Sequence, residues 1–322
     1  IGPKAGAHGG ELIFNGAFTE FAQQKELEAI SPTYRAIKSG ATKPDIVAKT
    51  DNGAIQLIRC TERNLKNITI AFQLGKLNVV SGKSGTGKSS LVKGTLLKAV
   101  QQQLGIDVDE PAKLISHKNL EAINKLIFID HSPIGKTPRS NPATYLGVSD
   151  HIRDLYASLP ESKSQGFTKS RFSFNNKGGR CETCQGAGKT QIGMHFLGNV
   201  ELVCGTCNGD RFNEATLQVT YNELSIAEVY KLSINEAILF FEGQKKVLVG
   251  LNILQEIGLG YLTLGQSSTT LSGGEAQRIK IANQLQKKDT GDTLYVIIEP
   301  SIGLHYDDIK SLTQLFDSIT QK

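Results

Sequence analysis

Tryptophan is absent from this sequence of 322 residues, methionine occurs once, and aromatic residues make up only 7%. No apolar run approaches the roughly 18 residues of a membrane-spanning helix, so the sequence predicts neither such a helix nor a membrane partner. A basic leader followed by an apolar stretch is also lacking, and a cytoplasmic location is therefore expected. The first residue is Ile1 instead of methionine, which is typical of a fragment or a processed chain. With 39% hydrophobic and 21% charged residues, the sequence predicts a folded protein and argues against extensive disorder.

Cysteine is scarce, but its placement is informative. Four of the five cysteines form two C-x-x-C pairs, Cys181 with Cys184 and Cys204 with Cys207, while Cys60 lies in an apolar run. In a chain without a secretion signal, this pattern favours a metal site in a reducing compartment over a disulfide framework. The net charge of +5 is too small to require or to exclude a nucleic-acid partner.

Strand and helix patterns alternate from residue 54 onward. Strands are predicted at 54–60, 67–74, 76–81, 125–130 and 293–299. This alternation predicts an α/β fold with a mainly parallel sheet and flanking helices. Apolar repeats at helical spacing predict helices at 89–104, at 235–258 in two pieces, at 273–287 and at 305–320.

A phosphate-binding loop is predicted at residues 82–89. Their sequence, Gly-Lys-Ser-Gly-Thr-Gly-Lys-Ser, matches G-x-x-x-x-G-K-[ST] between a predicted strand and a predicted helix. The glycines let backbone N–H groups point at phosphate oxygens, and the helix N-terminus adds partial positive charge. Lys88 would reach the β- and γ-phosphates, and Ser89 would ligate Mg²⁺. A chance Gly/Ser-rich turn is the alternative, but it does not explain the strand, loop and helix together.

A second ATP-related motif is found at residues 271–278, Leu-Ser-Gly-Gly-Glu-Ala-Gln-Arg, which resemble the signature of ABC-type ATPases. Ser272, Gly273 and Gly274 stand at the start of a predicted helix, where N–H groups suit a γ-phosphate. The resemblance implies that this phosphate belongs to ATP held by a partner ATPase unit. Taken alone, the motif also fits an ordinary N-cap.

The cysteines have the spacing C-x₂-C-x₁₉-C-x₂-C, which predicts a tetrahedral Zn²⁺ site. Four thiolates leave no open coordination position, so the metal would be structural. Gly186 and Gly209 follow the two pairs at the same offset and would aim backbone N–H groups at sulfur. Four buried free thiols are the alternative interpretation.

A basic stretch at 162–180 leads into the first cysteine pair and contains no acidic residue. Phe167, Phe172 and Phe174 interleave with its cations, which suits phosphate contact and base stacking. A solvated charged face with core phenylalanines is the alternative. The candidate DNA-binding residues are Lys163, Lys169, Arg171, Lys177 and Arg180.

Together these motifs look like the UvrA family, the damage-recognition ATPases of the bacterial excinuclease. The match runs from about residue 54 to the C-terminus and fits the second of the family's two ATPase halves. The resemblance implies ATP-dependent binding of damaged duplex DNA, transfer to a UvrB-like partner, and head-to-tail pairing with a second ABC half or a homodimer partner. It further implies that the zinc module helps to engage DNA. ATP, Mg²⁺ and Zn²⁺ are the expected cofactors.

We therefore expect an ABC-type P-loop ATPase core with an inserted helical signature domain and a four-cysteine zinc module. The core is assigned to 54–145 and 257–322, and the signature domain to 146–256, with the zinc module at about 175–215. Residues 1–53 resemble the tail of a preceding ATPase unit. The expected nucleotide contacts are Gly82, Ser84, Gly85, Thr86, Gly87, Lys88, Ser89, Ser90, His131, Ser272, Gly273, Gly274 and Glu275.

The sequence departs from the ABC pattern at three points. The catalytic strand normally ends in Asp-Glu, and here it ends in Ile298-Glu299, so Glu299 would polarise the attacking water without a neighbouring Mg²⁺ ligand. The residue after the strand at 125–130 is His131, where the family usually has glutamine. The sequence stops at Lys322 before the strand that would carry the switch histidine. With Lys88, Glu299 is the predicted catalytic residue, and weakened hydrolysis is expected.

Two other hypotheses stay open at this stage. The first is a UvrA paralogue whose ATPase is degraded and which acts as a binding or regulatory module, as the three departures suggest. The second is the ATPase subunit of a transport or resistance system, which predicts a surface for a membrane partner and no affinity for DNA. The cysteine module argues against the second.

Overall fold

A computed structural model of the chain describes residues 2, 9–40, 52–192, 200–287 and 291–320. Parts of the predicted linker, and residues 193–199 of the predicted zinc module, lie outside these ranges. The helices are α1 Phe18–Gln23, α2 Leu27–Ile30, α3 Pro32–Ser39, α4 Lys98–Gln103, α5 Pro142–Tyr145, α6 Val148–Ser158, α7 Pro160–Ser164, α8 Glu214–Leu217, α9 Ile226–Lys231, α10 Ile234–Phe240, α11 Lys245–Glu256, α12 Gly273–Leu285 and α13 Tyr306–Thr320. The strands are β1 Ala54–Cys60, β2 Ile68–Gln73, β3 Ser116–Lys118, β4 Lys125–Ile129, β5 Lys189–Ile192, β6 Val200–Val203, β7 Thr220–Tyr221, β8 Leu224–Ser225 and β9 Thr293–Ile297.

The chain divides into two compact units. The P-loop unit comprises residues 35–130 and 287–322, and the signature unit comprises residues 1–34 and 131–286. The functional boundaries at 54, 146 and 257 stay predictions. Among the described residues, no helix has both the length and the apolar character needed to cross a bilayer.

An antiparallel sheet of order β2-β1-β3 forms one layer of the P-loop unit. The apolar side chains of Ile55 and Leu57 alternate along β1 and are buried, as expected for a strand with one face on a core. They belong to one cluster with Leu91, Leu96 and Val100 from the helical segment that follows residues 82–89. This packing holds the helical segment that follows the candidate phosphate-binding loop against the sheet.

The predicted strand at 76–81 is wrong. Asn78 bonds to the backbone groups of Gln73 that a neighbouring strand would otherwise pair with. Its amide oxygen accepts the Gln73 N–H, and its amide nitrogen donates to the Gln73 carbonyl, both at 2.8 Å. The segment therefore turns, and the side chain of Val79 is 76% exposed. The predicted helix at 89–104 is confirmed, with Ser90–Leu97 in π-helical form before α4.

Strands β4 and β9 pair in parallel, with Lys125 opposite Thr293 and Ile129 opposite Ile297. The Ile298 N–H continues the ladder by donating to the Ile129 carbonyl at 3.0 Å. The predicted strands at 125–130 and 293–299 are therefore confirmed, and they end at the same edge. The mixed α/β fold is confirmed, but the expected mainly parallel sheet is not, because among the described residues β4 with β9 is the one parallel strand pair and the other pairs are antiparallel.

Helix starts in the signature unit follow a repeated S-x-x-E pattern. Capping boxes join Ser225 to Glu228 at α9 and Ser233 to Glu236 at α10. In each, the serine accepts the N–H of the glutamate, whose carboxylate accepts the serine N–H, so two otherwise unpaired donors are satisfied. Helices α10 and α11 confirm the two-piece helix predicted at 235–258.

Candidate nucleotide and metal sites

Lys88 lies inside the turn of the candidate phosphate-binding loop at residues 82–89. Its Nζ donates to the carbonyls of Gly82 and Lys83, each at 2.7 Å. The Thr86 hydroxyl donates to the same Lys83 carbonyl at 2.8 Å. The segment is thus curled around the one side chain that the motif requires for phosphate contact. Ser84 and Ser89 are exposed, whereas Ser90 is buried below the loop.

Asn64 is a part of this site that the sequence reasoning missed. Its amide nitrogen donates to the Gly85 carbonyl at 2.9 Å, and its amide oxygen accepts the Ser90 hydroxyl at 3.1 Å. One side chain therefore ties the middle of the loop to the first turn of the following helix. Asn64 precedes the motif by about 20 residues and belongs to no motif of its own, so composition and spacing carried no signal for it.

Glu299 lies two residues after the end of the parallel strand β9 and is exposed. Its backbone has φ 50°, in the left-handed region that residues other than glycine rarely adopt. Such conformations cluster at functional sites and need surrounding structure to hold them. Ile298 is half-buried and offers no ligand atom for a cation.

The signature motif forms the N-terminus of α12. Ser272 caps the helix by accepting the Glu275 N–H at 3.3 Å, and the Glu275 carboxylate accepts the Ser272 N–H at 2.7 Å. The Tyr261 hydroxyl donates to the other Glu275 oxygen at 2.5 Å, so burial and this carboxylate raise the pKa of Tyr261. Glu275 is thereby held as a capping residue.

His131 belongs to the signature unit and lies beside the start of α12. A Cβ added to Gly273 would be 3.2 Å from the His131 Cβ, so glycine permits this close approach. The His131 Nε2 is buried and has no hydrogen-bond partner among the described residues. An unpaired buried ring nitrogen costs free energy, and it offers a donor or acceptor to any group that binds there.

The four paired cysteines form a buried cluster. Their sulfurs all lie within 4.8 Å of one another, and the Cys184 and Cys207 sulfurs are 3.7 Å apart. Tetrahedral coordination at about 2.3 Å from zinc to sulfur places neighbouring sulfurs about 3.8 Å apart, so the cluster fits this ion. No disulfide joins these cysteines.

The two cysteine pairs repeat one backbone design. Gln185 and Asn208, which directly follow the pairs, are both left-handed, at φ 51° and 49°. Gly186 comes next at φ 79°, and a Cβ there would be 1.7 Å from the Phe174 carbonyl oxygen, so only glycine fits. The turns point backbone N–H groups at sulfur, from Gly186 and Gly188 to Cys184. The predicted role of the glycine after the first pair is confirmed.

Without a cation, Cys204 ionises more readily than Cys184 and Cys207. Backbone N–H donors lower the pKa of Cys204 to about 6, whereas burial raises the pKa of Cys207 to about 12. Burial also raises the pKa of Cys184. A bound divalent cation would offset the electrostatic repulsion between several thiolates. It would therefore favour the deprotonated form of each coordinating thiol.

Several candidate DNA-binding cations have intramolecular partners. Lys169 is paired with Asp154 at 2.9 Å, and Arg180 with Glu182 at 3.1 Å. Arg171 donates to the Thr216 hydroxyl at 2.9 Å and lies over the Phe167 ring. Lys163 and Lys177 are exposed.

The phenylalanines of this stretch divide into two kinds. Phe172 and Phe174 are 0% and 2% exposed and belong to the core, so base stacking by them is excluded. Phe174 packs edge-on against Phe212 and Tyr230, with ring centres 6.0 and 5.6 Å apart. The core interpretation is therefore correct for these two residues, and Phe167 is half-buried.

The chain is similar to known proteins along its whole length. It is 45% identical over 321 residues to "UvrABC system protein A" of Staphylococcus epidermidis, which covers 100% of this chain and 34% of that protein. It is 46% identical over 318 residues to the protein of the same name from Streptococcus pyogenes, which covers 98% of this chain and 33% of that protein.

The crystal structure of UvrA2 from Deinococcus radiodurans matches with a TM-score of 0.89 at 40% identity, over 99% of this chain and 38% of that one. No protein-family model matches. The chain spans about a third of the length of the curated relatives it matches.

Proposed function

Because the chain is a UvrA-like ABC ATPase half, we propose that it binds ATP and grips damaged duplex DNA for nucleotide excision repair. One observation carries this proposal: a phosphate loop, an ABC signature and a four-cysteine cluster occur in a single chain that resembles UvrA proteins from end to end. Any one of these features alone would fit other ATPases or other metal proteins.

ATP would bind at residues 82–89. Lys88 would exchange its two carbonyl contacts for the β- and γ-phosphates, and the glycine N–H groups would supply the remaining donors. Asn64 would keep the loop open during this exchange, since its contacts do not involve Lys88. Ser89 would ligate the Mg²⁺ that accompanies the nucleotide.

The start of α12 would contact the γ-phosphate of ATP held by a second ABC half or by a second copy of this chain. Ser272, Gly273 and Gly274 supply the hydroxyl and N–H donors for this contact. His131 lies beside Gly273, and its unpaired Nε2 could join them.

Hydrolysis would be slow. Glu299 can polarise a water molecule, but Ile298 removes the carboxylate that would help to hold Mg²⁺. We expect Ile298→Asp to raise steady-state turnover of Mg-ATP by about tenfold or more, because it supplies a carboxylate that helps to hold the Mg²⁺ which stabilises charge at the transition state. Ile298→Asn is the matched control, since it is polar but uncharged. Equal turnover in wild type and Ile298→Asp would refute this role.

The four-cysteine cluster would hold one structural Zn²⁺, which fixes the backbone around Cys181 and Cys204 as a platform for DNA. Lys163 and Lys177 are the exposed cations available for phosphate contact. Lys169, Arg171 and Arg180 would act mainly by shaping this surface through their protein contacts. A UvrB-like partner would receive the DNA.

A salt titration of duplex binding tests the DNA part of the proposal. Fluorescence anisotropy with the purified chain and a labelled damaged duplex should show affinity falling log-linearly with salt, with a slope near −0.9 per phosphate contact. Lys177→Gln should lower affinity and reduce this slope by about one contact, whereas Lys246→Gln, an exposed lysine on α11, should leave it unchanged. No binding at low salt would refute the proposal.

A further inference from the structure

The backbone of Arg211 contacts both cysteine pairs. Its carbonyl accepts the Cys181 N–H at 2.8 Å, and its own N–H donates to the Cys207 sulfur. Arg211 has φ 72°, in the left-handed region that a residue other than glycine adopts only where its surroundings fix it. The backbone position of Arg211 therefore depends on how the cysteines are arranged.

The Arg211 side chain extends from the cluster to the segment that precedes the signature helix. One guanidinium nitrogen donates to the Gly265 carbonyl at 3.3 Å, and the guanidinium carbon lies 5.3 Å from the centre of the Phe174 ring. Burial lowers the pKa of Arg211, and attraction to the Tyr230 side chain and, less strongly, to Cys184 and Cys207 opposes this shift. The group stays protonated, so its bond to the carbonyl is charge-assisted.

Gly265 is an anchor point of the segment that runs to the signature helix. Its N–H donates to the Tyr230 carbonyl at 2.8 Å, while its carbonyl is held by Arg211. Further along, the Ser268 N–H donates to the Ser140 carbonyl at 2.8 Å, and Ser272 then caps α12. Residues 265–276 are thus fixed at a few points, one of which leads back to the cysteine cluster.

We propose that Arg211 is a positioning residue that couples metal occupancy of the four-cysteine cluster to the order of residues 265–276. This inference rests on the proposed function, because it takes the cluster as a metal site and the segment as the phosphate contact. A metal bound by four thiolates fixes Cys181 and Cys207, and these fix the Arg211 backbone. The guanidinium then holds the Gly265 carbonyl, so loss of the metal loosens the signature segment.

Amide hydrogen exchange of the full chain tests this coupling. In wild type, removal of zinc by a chelator should speed exchange of the protected amides in 266–276 by about tenfold, the factor expected when one charge-assisted hydrogen bond is lost. Helix α11, in the same unit, should change little. In Arg211→Gln, kept in excess zinc, the same amides should already exchange faster, and the chelator should add little.

Lys231→Gln is the matched control, since Lys231 is an exposed cation paired at 2.6 Å with Asp210, the neighbour of Arg211. It should retain the full response to the chelator. The coupling is overturned if exchange in wild-type 266–276 ignores zinc, if α11 responds equally, or if Arg211→Gln responds like wild type. Each of these three outcomes refutes the coupling without refuting the proposed ATP site or metal site. A chain that holds no zinc would instead refute both the proposed metal site and the coupling.

Discussion

The two glycine-rich helix starts of this chain are built differently. At residues 82–89 the loop is kept in shape from outside by Asn64, and Lys88 points into it. At the start of α12 the signature satisfies its own donors through the Ser272–Glu275 capping box. The first arrangement places the candidate phosphate-binding lysine inside the loop, whereas in the second the Ser272 N–H and the Glu275 N–H are already satisfied by the cap. A glycine-rich helix start is therefore not by itself a nucleotide site.

Lys88→Ala should have the strongest effect. It should weaken equilibrium binding of a fluorescent ATP analogue by at least about 100-fold, because a charge-assisted phosphate contact is lost. Lys93→Ala, one turn further along the helix and over the Phe128 ring, should bind the analogue normally. Normal affinity in Lys88→Ala would mean that the loop is not the nucleotide site.

A smaller loss of ATP affinity is expected from Asn64→Ala, by about tenfold, since one or two hydrogen bonds that preorganise the loop disappear. Asn78→Ala is the matched control, because Asn78 also bonds backbone groups in the same unit but lies in the turn after β2. Isothermal titration of ATP into both variants measures the difference. If the two variants bind equally well, loop support by Asn64 is refuted.

The four-cysteine cluster supplies a second contrast, with the lone buried Cys60 of the P-loop unit. Cys204→Ser should reduce zinc content from one per chain to a small fraction and lower the melting temperature, because three thiolates hold the ion less well and a structural zinc contributes to folding free energy. Cys60→Ala, which removes a buried cysteine outside the cluster, should keep its zinc. Metal analysis by mass spectrometry distinguishes the two, and unchanged zinc in Cys204→Ser would contradict the site.

The weakest effect concerns the cap itself. Ser272→Ala should destabilise the protein by about 1 kcal/mol, and Ser272→Gly by only a few tenths, since glycine is tolerated at an N-cap. Both variants should keep the ATP affinity of the loop at residues 82–89. Thermal denaturation and nucleotide titration on the same samples measure the two effects. A loss of ATP affinity in either variant would contradict the contrast between the two helix starts.

Sequence patterns predicted the parts of the fold that depend on local chemistry. The strand at β1, the two-piece helix of α10 and α11, and the cysteine turns all follow from alternation, helical spacing and glycine placement. The strand predicted at 76–81 was wrong because a single side chain, Asn78, redirects the backbone hydrogen bonds.

Contacts between distant residues could not be predicted in this way. Asn64 supports a loop about 20 residues away, and Arg211 reaches Gly265 across more than 50 residues. The residue type alone does not indicate such a role, because asparagine and arginine are common on protein surfaces. Likewise, the basic stretch gave no sign that Lys169 and Arg180 are paired with acids that lie outside it.

If the two helix starts serve different nucleotides, each ATP needs the phosphate loop of one ATPase half and the signature of another. Mixing two inactive variants, Lys88→Ala and Ser272→Arg, tests this directly by sedimentation of the complexes formed with ATP. The wild-type chain should pair when ATP is added and each variant alone should not. The mixture should pair, because one intact loop then meets one intact signature. If the wild type pairs with ATP but the mixture of variants does not, the division of roles between the two helix starts is contradicted.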